Sequence, residues 1–392
     1  MKGHFEVIVI GGGIIGLSSG YYLSRSGRKV LVLDRGEFGS GSSGACDDMI
    51  LLQSKNPGVT LELAMESLEL YRKLEGELGV DLGFKQMGCM ILIENQRELA
   101  IMEEFVHNQR KCGLEVDIID GVDLRKRQPN INRKFIASTY SANDSQVDPL
   151  LVMKGFIGAG KKLGMEVCYQ EGVIGIDRNG KGCWKVTTDL GVTLEADNLV
   201  IAAGAWSGKV GELLDIDIPV QPKKGQLLIT EKIPPVGETN LWTASYMVTK
   251  LRPDLIEEDT DDPLEKEIGL GFSFTRTADG NYLIGSTREH VGFDKRASFE
   301  AVKALSNQVL DIVPLMRHVH LIRHIAGFRP EVADGRILLG EWPGIEGLFV
   351  ATGHEGDGIA MAPITGKLVS DYVERRSMPA KIAELNPQRV LV

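Results

Sequence analysis

A six-residue run, Gly11-Gly-Gly-Ile-Ile-Gly16, separates a β-branched segment, Phe5–Ile10, from a helix-compatible segment, Leu17–Ser26, that stops at Gly27. A second apolar run, Lys29-Val-Leu-Val-Leu33, ends in Asp34, 18 residues beyond Gly16. Together they form a strand–helix–strand unit of about 30 residues. Both strands are almost continuously apolar, as parallel strands buried on two faces must be. Each glycine has a physical task. Gly11 permits a tight turn, Gly13 lets the backbone approach a pyrophosphate, and Gly16 lets the helix pack closely on the sheet. The free N–H groups and positive end of the helix then face the phosphates. Asp34 is placed to accept hydrogen bonds from a ribose.

At 392 residues the chain is long for one core, and two or three lobes are expected. Residues 60–79 carry Leu61, Leu63, Ala64, Leu68, Tyr71, Leu74 and Leu78 at helical spacing. Between 86 and 146, strand-like runs (Met90–Ile93, Ala137–Tyr140) flank a charged helix near 96–112, and a further helix spans roughly Leu150–Leu163. Asn198–Trp206 and Gly347–Gly353 read as further buried strands, the second followed by a helix from Gly358 to about Arg375. Residues 219–320 read as strand-rich, with an acidic insertion at Glu257–Asp262 that is most simply a solvated loop. The expected fold is α/β plus α+β. A discontinuous Rossmann-like domain is drawn from 1–85, 147–218 and 321–392, with a mostly antiparallel domain inserted as 86–146 and 219–320.

The net charge of −10 argues against a nucleic-acid partner, which needs a basic face. No apolar run approaches the roughly 18 residues of a membrane-spanning helix, and no secretory signal is apparent, so a cytoplasmic enzyme is expected. The five cysteines (Cys46, Cys89, Cys112, Cys168, Cys183) are scattered and show no Cys-x-x-Cys spacing, so neither a disulfide framework nor a metal or iron–sulfur site is expected within the chain. His318, His320 and His324 would share one face of a strand, but without further ligands they read as polar strand positions.

A second donor-rich loop, Gly39-Ser-Gly-Ser-Ser-Gly44, follows the second strand, within reach of the same pyrophosphate. Further blocks follow in order: Val147-Asp-Pro149, Leu199–Trp206, Pro222-Lys-Lys-Gly-Gln226, Gly327-Phe-Arg-Pro330 with Asp334-Gly335, and Gly353-His354 through Thr365-Gly366. With the first fingerprint, they resemble the D-amino-acid oxidase-like superfamily of FAD enzymes, in its glycine oxidase and sarcosine oxidase branch. Ser43–Asp47, Gly285-Ser-Thr-Arg-Glu289 with Gly292–Asp294, and Gly353–Gly358 are similar to a sub-branch containing the FAD subunits of hydrogen cyanide synthase, opine oxidase and hydroxyproline dehydrogenase. The resemblance implies FAD, contacted by Gly11, Gly13, Ile14, Ile15, Gly16, Asp34 and Arg35. The next loop would add Ser42, Ser43, Gly44, Ala45 and Met49. Later contacts would come from Val173, Ala203, Gly204, Trp206, Gly353, His354, Gly356, Gly358 and Ile359. Sarcosine oxidases tether FAD through a cysteine in the block aligned with Gly327-Phe328, where this chain has none, so FAD is expected to be non-covalent.

Arg329 is the first candidate for substrate chemistry, because a guanidinium clamps a carboxylate with two parallel hydrogen bonds. The resemblance gives the arginine at this position that role. His354 would lie on the pyrimidine side of the flavin, as a base or through the backbone around it. Glycine oxidases place a second arginine in this loop where this chain has Gly356 followed by Asp357, which leaves room for a substrate larger than glycine. Asp47 and Asp48 replace small neutral residues of the family and read either as an anchor for a substrate ammonium or guanidinium, or as loop caps.

The resulting expectation is FAD-dependent oxidation of a small amino acid or secondary amine bearing a carboxylate. Hydride would pass to flavin N5, and the imine would hydrolyse. Two alternatives stay open: a flavin-bearing electron-transfer subunit of a larger amine dehydrogenase complex, and an NAD-dependent hydroxy-acid dehydrogenase supported by the first fingerprint alone. The sub-branch implies an iron–sulfur-containing partner subunit; a homo-oligomer is the other assembly kept open.

Overall fold

A computed structural model of the chain describes residues 3–178, 182–251, 268–375 and 379–391, and the acidic run at 257–262 lies outside them. The strand His4–Ile10 is the centre of the first sheet, parallel to Val30–Leu33 on one side and Thr193–Ile201 on the other. The order runs Leu338–Glu341, Leu348–Thr352, Thr193–Ile201, His4–Ile10, Val30–Leu33, Glu166–Cys168. All are parallel neighbours except the edge strand Leu338–Glu341. The helices Ile14–Arg25, Val59–Leu78, Pro149–Lys162 and Gly358–Arg375 bury one apolar cluster with this sheet, including Val7, Val9, Leu17, Phe156 and Phe349. The opposite face is covered by Val173–Arg178 and Trp184–Thr188, whose Trp184 and Val186 pack with Ile8, Leu31 and Leu199. Each such fully buried aliphatic side chain contributes on the order of 1.5–3 kcal/mol.

The second sheet has the order Leu321–Glu331, Gln221–Thr230, Tyr282–Gly285, Ser273–Arg276, Asn240–Thr243, Cys89–Ile93, Ala137–Ser141, Asp117–Asp120. Its pairings are antiparallel except that between Asn240–Thr243 and Cys89–Ile93. The helix Phe299–Ile312 closes one apolar cluster on it, and Gln96–Lys111 with Ala244–Leu251 closes another.

Several expectations need correction. A domain boundary at 320/321 separates Leu321–Glu331 from its own sheet, since this strand pairs along its whole length with Gln221–Thr230. The first helix begins at Ile14 rather than Leu17, because Gly13 is already its N-cap and the Gly13 carbonyl accepts the Leu17 N–H at 2.9 Å. The strand expected over 198–206 ends at Ile201, and Gly204–Trp206 is a 3-10 turn. The three histidines do not share a strand face. His318 closes a 3-10 turn, His320 precedes the strand and bonds Glu231, and only His324 lies within it.

The two sheets meet at the loop that follows the second parallel strand. The Ser42 hydroxyl donates to the Phe328 carbonyl. An added Cβ at Gly327 would lie 2.8 Å from the Ala45 Cβ, so glycine is what lets this loop press against Leu321–Glu331.

Candidate active site

One continuous cavity of about 700 Å³ runs from the glycine fingerprint to the end of Leu321–Glu331. At the fingerprint end, Gly11 has φ +116° and an added Cβ would lie 2.3 Å from the Ala202 carbonyl oxygen. At Gly16 an added Cβ would lie 1.8 Å from the Gly11 oxygen. Both positions are closed to side chains by the protein itself. Gly13 differs: its Cβ would meet only Ser43 Oγ, at 3.3 Å, so the space beside it opens on the cavity. Ser43 Oγ accepts the Ile14 N–H at 3.0 Å, holding the second loop against the helix start. Asp34 accepts the Gly12 N–H at 2.6 Å and the Gly36 N–H at 2.7 Å, and Tyr169 donates to the Gly12 carbonyl at 2.9 Å. The carboxylate is thereby fixed at the cavity rim with lone pairs remaining. A backbone cradle, a helix N-terminus and an oriented carboxylate fit the pyrophosphate and ribose of a dinucleotide.

At the other end, Arg329 is held by Ser286 Oγ at 2.7 Å and the Thr287 carbonyl at 3.0 Å, and its Nε lies 3.9 Å from Glu355. Gly225, across the strand pair, leaves room for it: a Cβ there would lie 2.5 Å from Nη1. Burial opposes the charge of Glu355, but Arg288, Arg329 and Lys223 hold its carboxyl down to about 2. Glu355 sits at φ +47°, a left-handed conformation that costs a non-glycine residue about 1 kcal/mol or more. Its neighbour Asp357 accepts from Lys55 Nζ at 2.7 Å, and Lys55 is 2% exposed, with its other protons on the Leu51 carbonyl and Ser54 Oγ. His354 is buried, and its Nε2 lies 3.1 Å from Thr365 Oγ1 on the last helix. Burial lowers its pKa to about 4, so the imidazole is neutral near pH 7. Three side-chain attachments, at 354, 355 and 357, therefore fix the shape of this loop.

The residues expected to contact FAD line this cavity, with three exceptions. Gly16, Gly44 and Gly353 stand behind its wall. Added Cβ atoms would strike Gly11 O at 1.8 Å, Gly39 O at 2.0 Å and Val332 Cγ2 at 2.6 Å, so these positions are closed to side chains by the protein itself. Arg329, His354 and Asp47 line the cavity, whereas Asp48 does not. Burial pushes the Asp47 carboxyl up, against the pull of nearby Ser273, Arg329, Lys55 and Arg288. Asp48 is buried beside Thr275 with Oδ1 unpartnered, and burial together with Asp47 raises its pKa to about 7.

A raised carboxyl pKa means the folded state holds the proton more tightly than the unfolded one. Asp48 therefore lowers stability progressively as pH rises from about 4 to about 7. We expect Asp48→Asn to gain on the wild type across that window, by on the order of 2–4 kcal/mol above pH 7. Chemical denaturation of both proteins at matched FAD content from pH 5 to pH 8.5 measures the gap. A gap that does not widen with pH rules out the buried-acid assignment.

Sequence reasoning missed Lys55, Trp242, Tyr246 and Arg288, all on the cavity wall, and Tyr169, which donates to the Gly12 carbonyl. Only Arg288 carried a signal, since it lies inside the block Gly285–Glu289. The Arg288 guanidinium lies over the Tyr246 ring, 3.5 Å from its centroid, and Tyr246 meets Trp242 edge to face at 5.1 Å. At the opposite wall Arg35 lies over Trp206, which stacks on Phe293.

Comparison with known proteins bears on this geometry. The family described as "FAD dependent oxidoreductase" matches residues 6–372. The hydrogen cyanide synthase subunit HcnC of Pseudomonas protegens is 27% identical over 98% of this chain and 96% of its own. The glycine oxidase of Geobacillus kaustophilus is 27% identical over 99% of this chain and 98% of its own. The crystal structure of glycine oxidase from Geobacillus kaustophilus superposes with a TM-score of 0.85 and 25% identity, covering 98% of both chains. Among the described residues, no helix is long and apolar enough to cross a membrane.

Proposed function

The chain belongs to the FAD-dependent oxidoreductase family, and we propose that it oxidises the carbon–nitrogen bond of a small amino acid or secondary amine bearing a carboxylate. The observation that carries this reading is Arg329. Its guanidinium lines the cavity that begins at the glycine cradle, and side-chain and backbone oxygens fix it from behind. Likeness to glycine oxidases supports the reaction type. The same family membership sets aside the NAD-dependent alternative.

FAD, when bound, supplies the two-electron acceptor. Gly11, Gly13, Ile14, Ile15, Ser42 and Ser43 would hold its phosphates, and Asp34 its adenosine ribose. No cysteine stands at Gly327-Phe328, which supports non-covalent binding. Arg329 pairs with the substrate carboxylate and sets which carbon lies nearest the acceptor. Asp47, whose carboxyl is raised by burial, holds the substrate ammonium and takes its proton, so that the amine reacts neutral. His354, already neutral and bonded to Thr365, positions the 354–357 loop and does not move a proton. Trp242 and Tyr246 form an apolar wall that excludes water. The imine leaves and hydrolyses to a carbonyl compound.

A second reading concerns where the electrons go next. Phe293 is 39% exposed and stacks on Trp206, a cavity-wall residue, at 5.3 Å between centroids. That aromatic edge, with the likeness to a named synthase subunit, supports docking of a partner subunit carrying an iron–sulfur centre. An anaerobic flavin-reduction screen separates the readings. The panel is glycine, sarcosine, both enantiomers of common amino acids, proline, hydroxyproline and opines. Bleaching of the isolated FAD-loaded chain by at least one of them is expected. If none bleaches it, the chain is an electron carrier and the oxidation belongs to a partner.

A further inference from the structure

Arg329 is fully occupied on its protein side, but the second arginine on the same wall is not. No hydrogen bond or ion pair joins the Arg288 guanidinium to any described residue, and its Nε is buried without a partner. The ring of Tyr246 covers one face of it at 3.5 Å. The two acids nearest in charge, Glu355 and Asp47, act on it through space, and neither forms an ion pair with it. Glu355 is shared between Lys223 at 3.5 Å and Arg329 at 3.9 Å and also accepts the Gly356 N–H. Asp47 lies with Ser273, Arg329, Lys55 and Arg288 about it and forms no ion pair with Arg288. A half-buried guanidinium with no ion-pair partner carries a desolvation cost that an anionic ligand in the cavity would offset.

The placement of the two arginines is fixed by one segment. Arg329 grips Ser286 and Thr287, and Arg288 is the next residue. Both cations line the same cavity, with separate supports, and the charge of Arg329 bears on Arg288. One carboxylate on Arg329 leaves the Arg288 fork unused. Gly356 adds no bulk between them and the loop: a Cβ there would still be 3.9 Å from Arg329 Nε.

We propose that Arg288 binds a second carboxylate of the substrate, so that the chain acts on dicarboxylic amines. The class comprises acidic amino acids and secondary amines carrying a carboxylate on each arm. This rests on the amine-oxidation reading and narrows it.

The test uses the FAD-loaded chain and matched acid–amide pairs: iminodiacetate and its monoamide, glutamate and glutamine, aspartate and asparagine, in both enantiomers where they exist. Anaerobic stopped-flow mixing measures the second-order rate constant of flavin reduction. Glutarate and its monoamide, which carry no amine, are titrated against the flavin absorbance as unreactive probes. At least one diacid is expected to reduce the flavin 100-fold or more faster than its amide, and glutarate to bind at least 30-fold more tightly than its monoamide. In Arg288→Met both ratios fall to within about threefold. Equal wild-type rates for acid and amide, with reduction clearly occurring, overturn the second site while leaving amine oxidation intact. Ratios that survive in Arg288→Met overturn the assignment to this residue. Tight glutarate binding with no reduction by any amine keeps the diacid site and sinks the oxidation reading instead. Weak, equal binding of both probes together with no reduction sinks both.

Discussion

Arg329→Ala is expected to lower the second-order rate constant of flavin reduction roughly 150-fold, a loss of about 3 kcal/mol. Truncation removes the only cavity arginine that is both aimed and braced among the described residues, since Ser286 Oγ and the Thr287 carbonyl hold two of its nitrogens. A substrate carboxylate would then lie unpaired in a closed site. Arg329→Lys should recover only part of the loss, because an ammonium keeps the charge but cannot bond Ser286, Thr287 and a carboxylate in one plane. The effect should shrink sharply when the substrate carboxylate is replaced by an amide. FAD content should stay near normal. Equal slowing of acid and amide, or simple loss of FAD, would move Arg329 from the substrate site to the fold or the cofactor site.

The second large effect separates two glycines that the fingerprint alone treats alike. Gly13→Val should give a folded, colourless protein. Its Cβ meets only Ser43 Oγ at 3.3 Å, so the chain tolerates it, but the added methyls fill the space where the backbone must approach a pyrophosphate. Gly16→Val should fail earlier. Its Cβ overlaps the Gly11 carbonyl oxygen at 1.8 Å, so the helix Ile14–Arg25 must leave the sheet, at a cost of about 4 kcal/mol or more. Far-ultraviolet dichroism, thermal unfolding and the flavin spectrum of the two variants distinguish these outcomes. A yellow Gly13→Val protein at wild-type FAD occupancy would remove the fingerprint from the cofactor site.

The nucleotide end of the site was legible in the sequence because its requirements are local. A glycine that must sit at φ +116° and an acid at the end of the next strand are separated by fixed numbers of residues within one βαβ unit. The substrate end was legible only in part, because it is assembled across the chain. Arg329 was found through its motif, but its brace comes from residues 286 and 287 and its space from Gly225. Asp47 and Asp48 are indistinguishable as letters, and only the fold shows that one lines the cavity and the other is buried behind it. Lys55 gave no sign, since its role depends on Asp357, 302 residues away. The apolar pattern of Leu321–Glu331 suits either sheet, and pairing with Gln221–Thr230 decides between them. Arg288 lay inside a block that was noticed as a block, and its unpaired state is a property of three dimensions alone.

On the proposed reading, this chain itself breaks a carbon–hydrogen bond next to nitrogen. Anaerobic single-turnover mixing of the isolated FAD-loaded chain with an amine substrate and its α-deuterated form tests this most directly. One carbonyl product per flavin bleached is expected, with slower bleaching when the substrate is deuterated. Bleaching that needs a partner subunit, or that shows no isotope dependence and yields no carbonyl product, would contradict it.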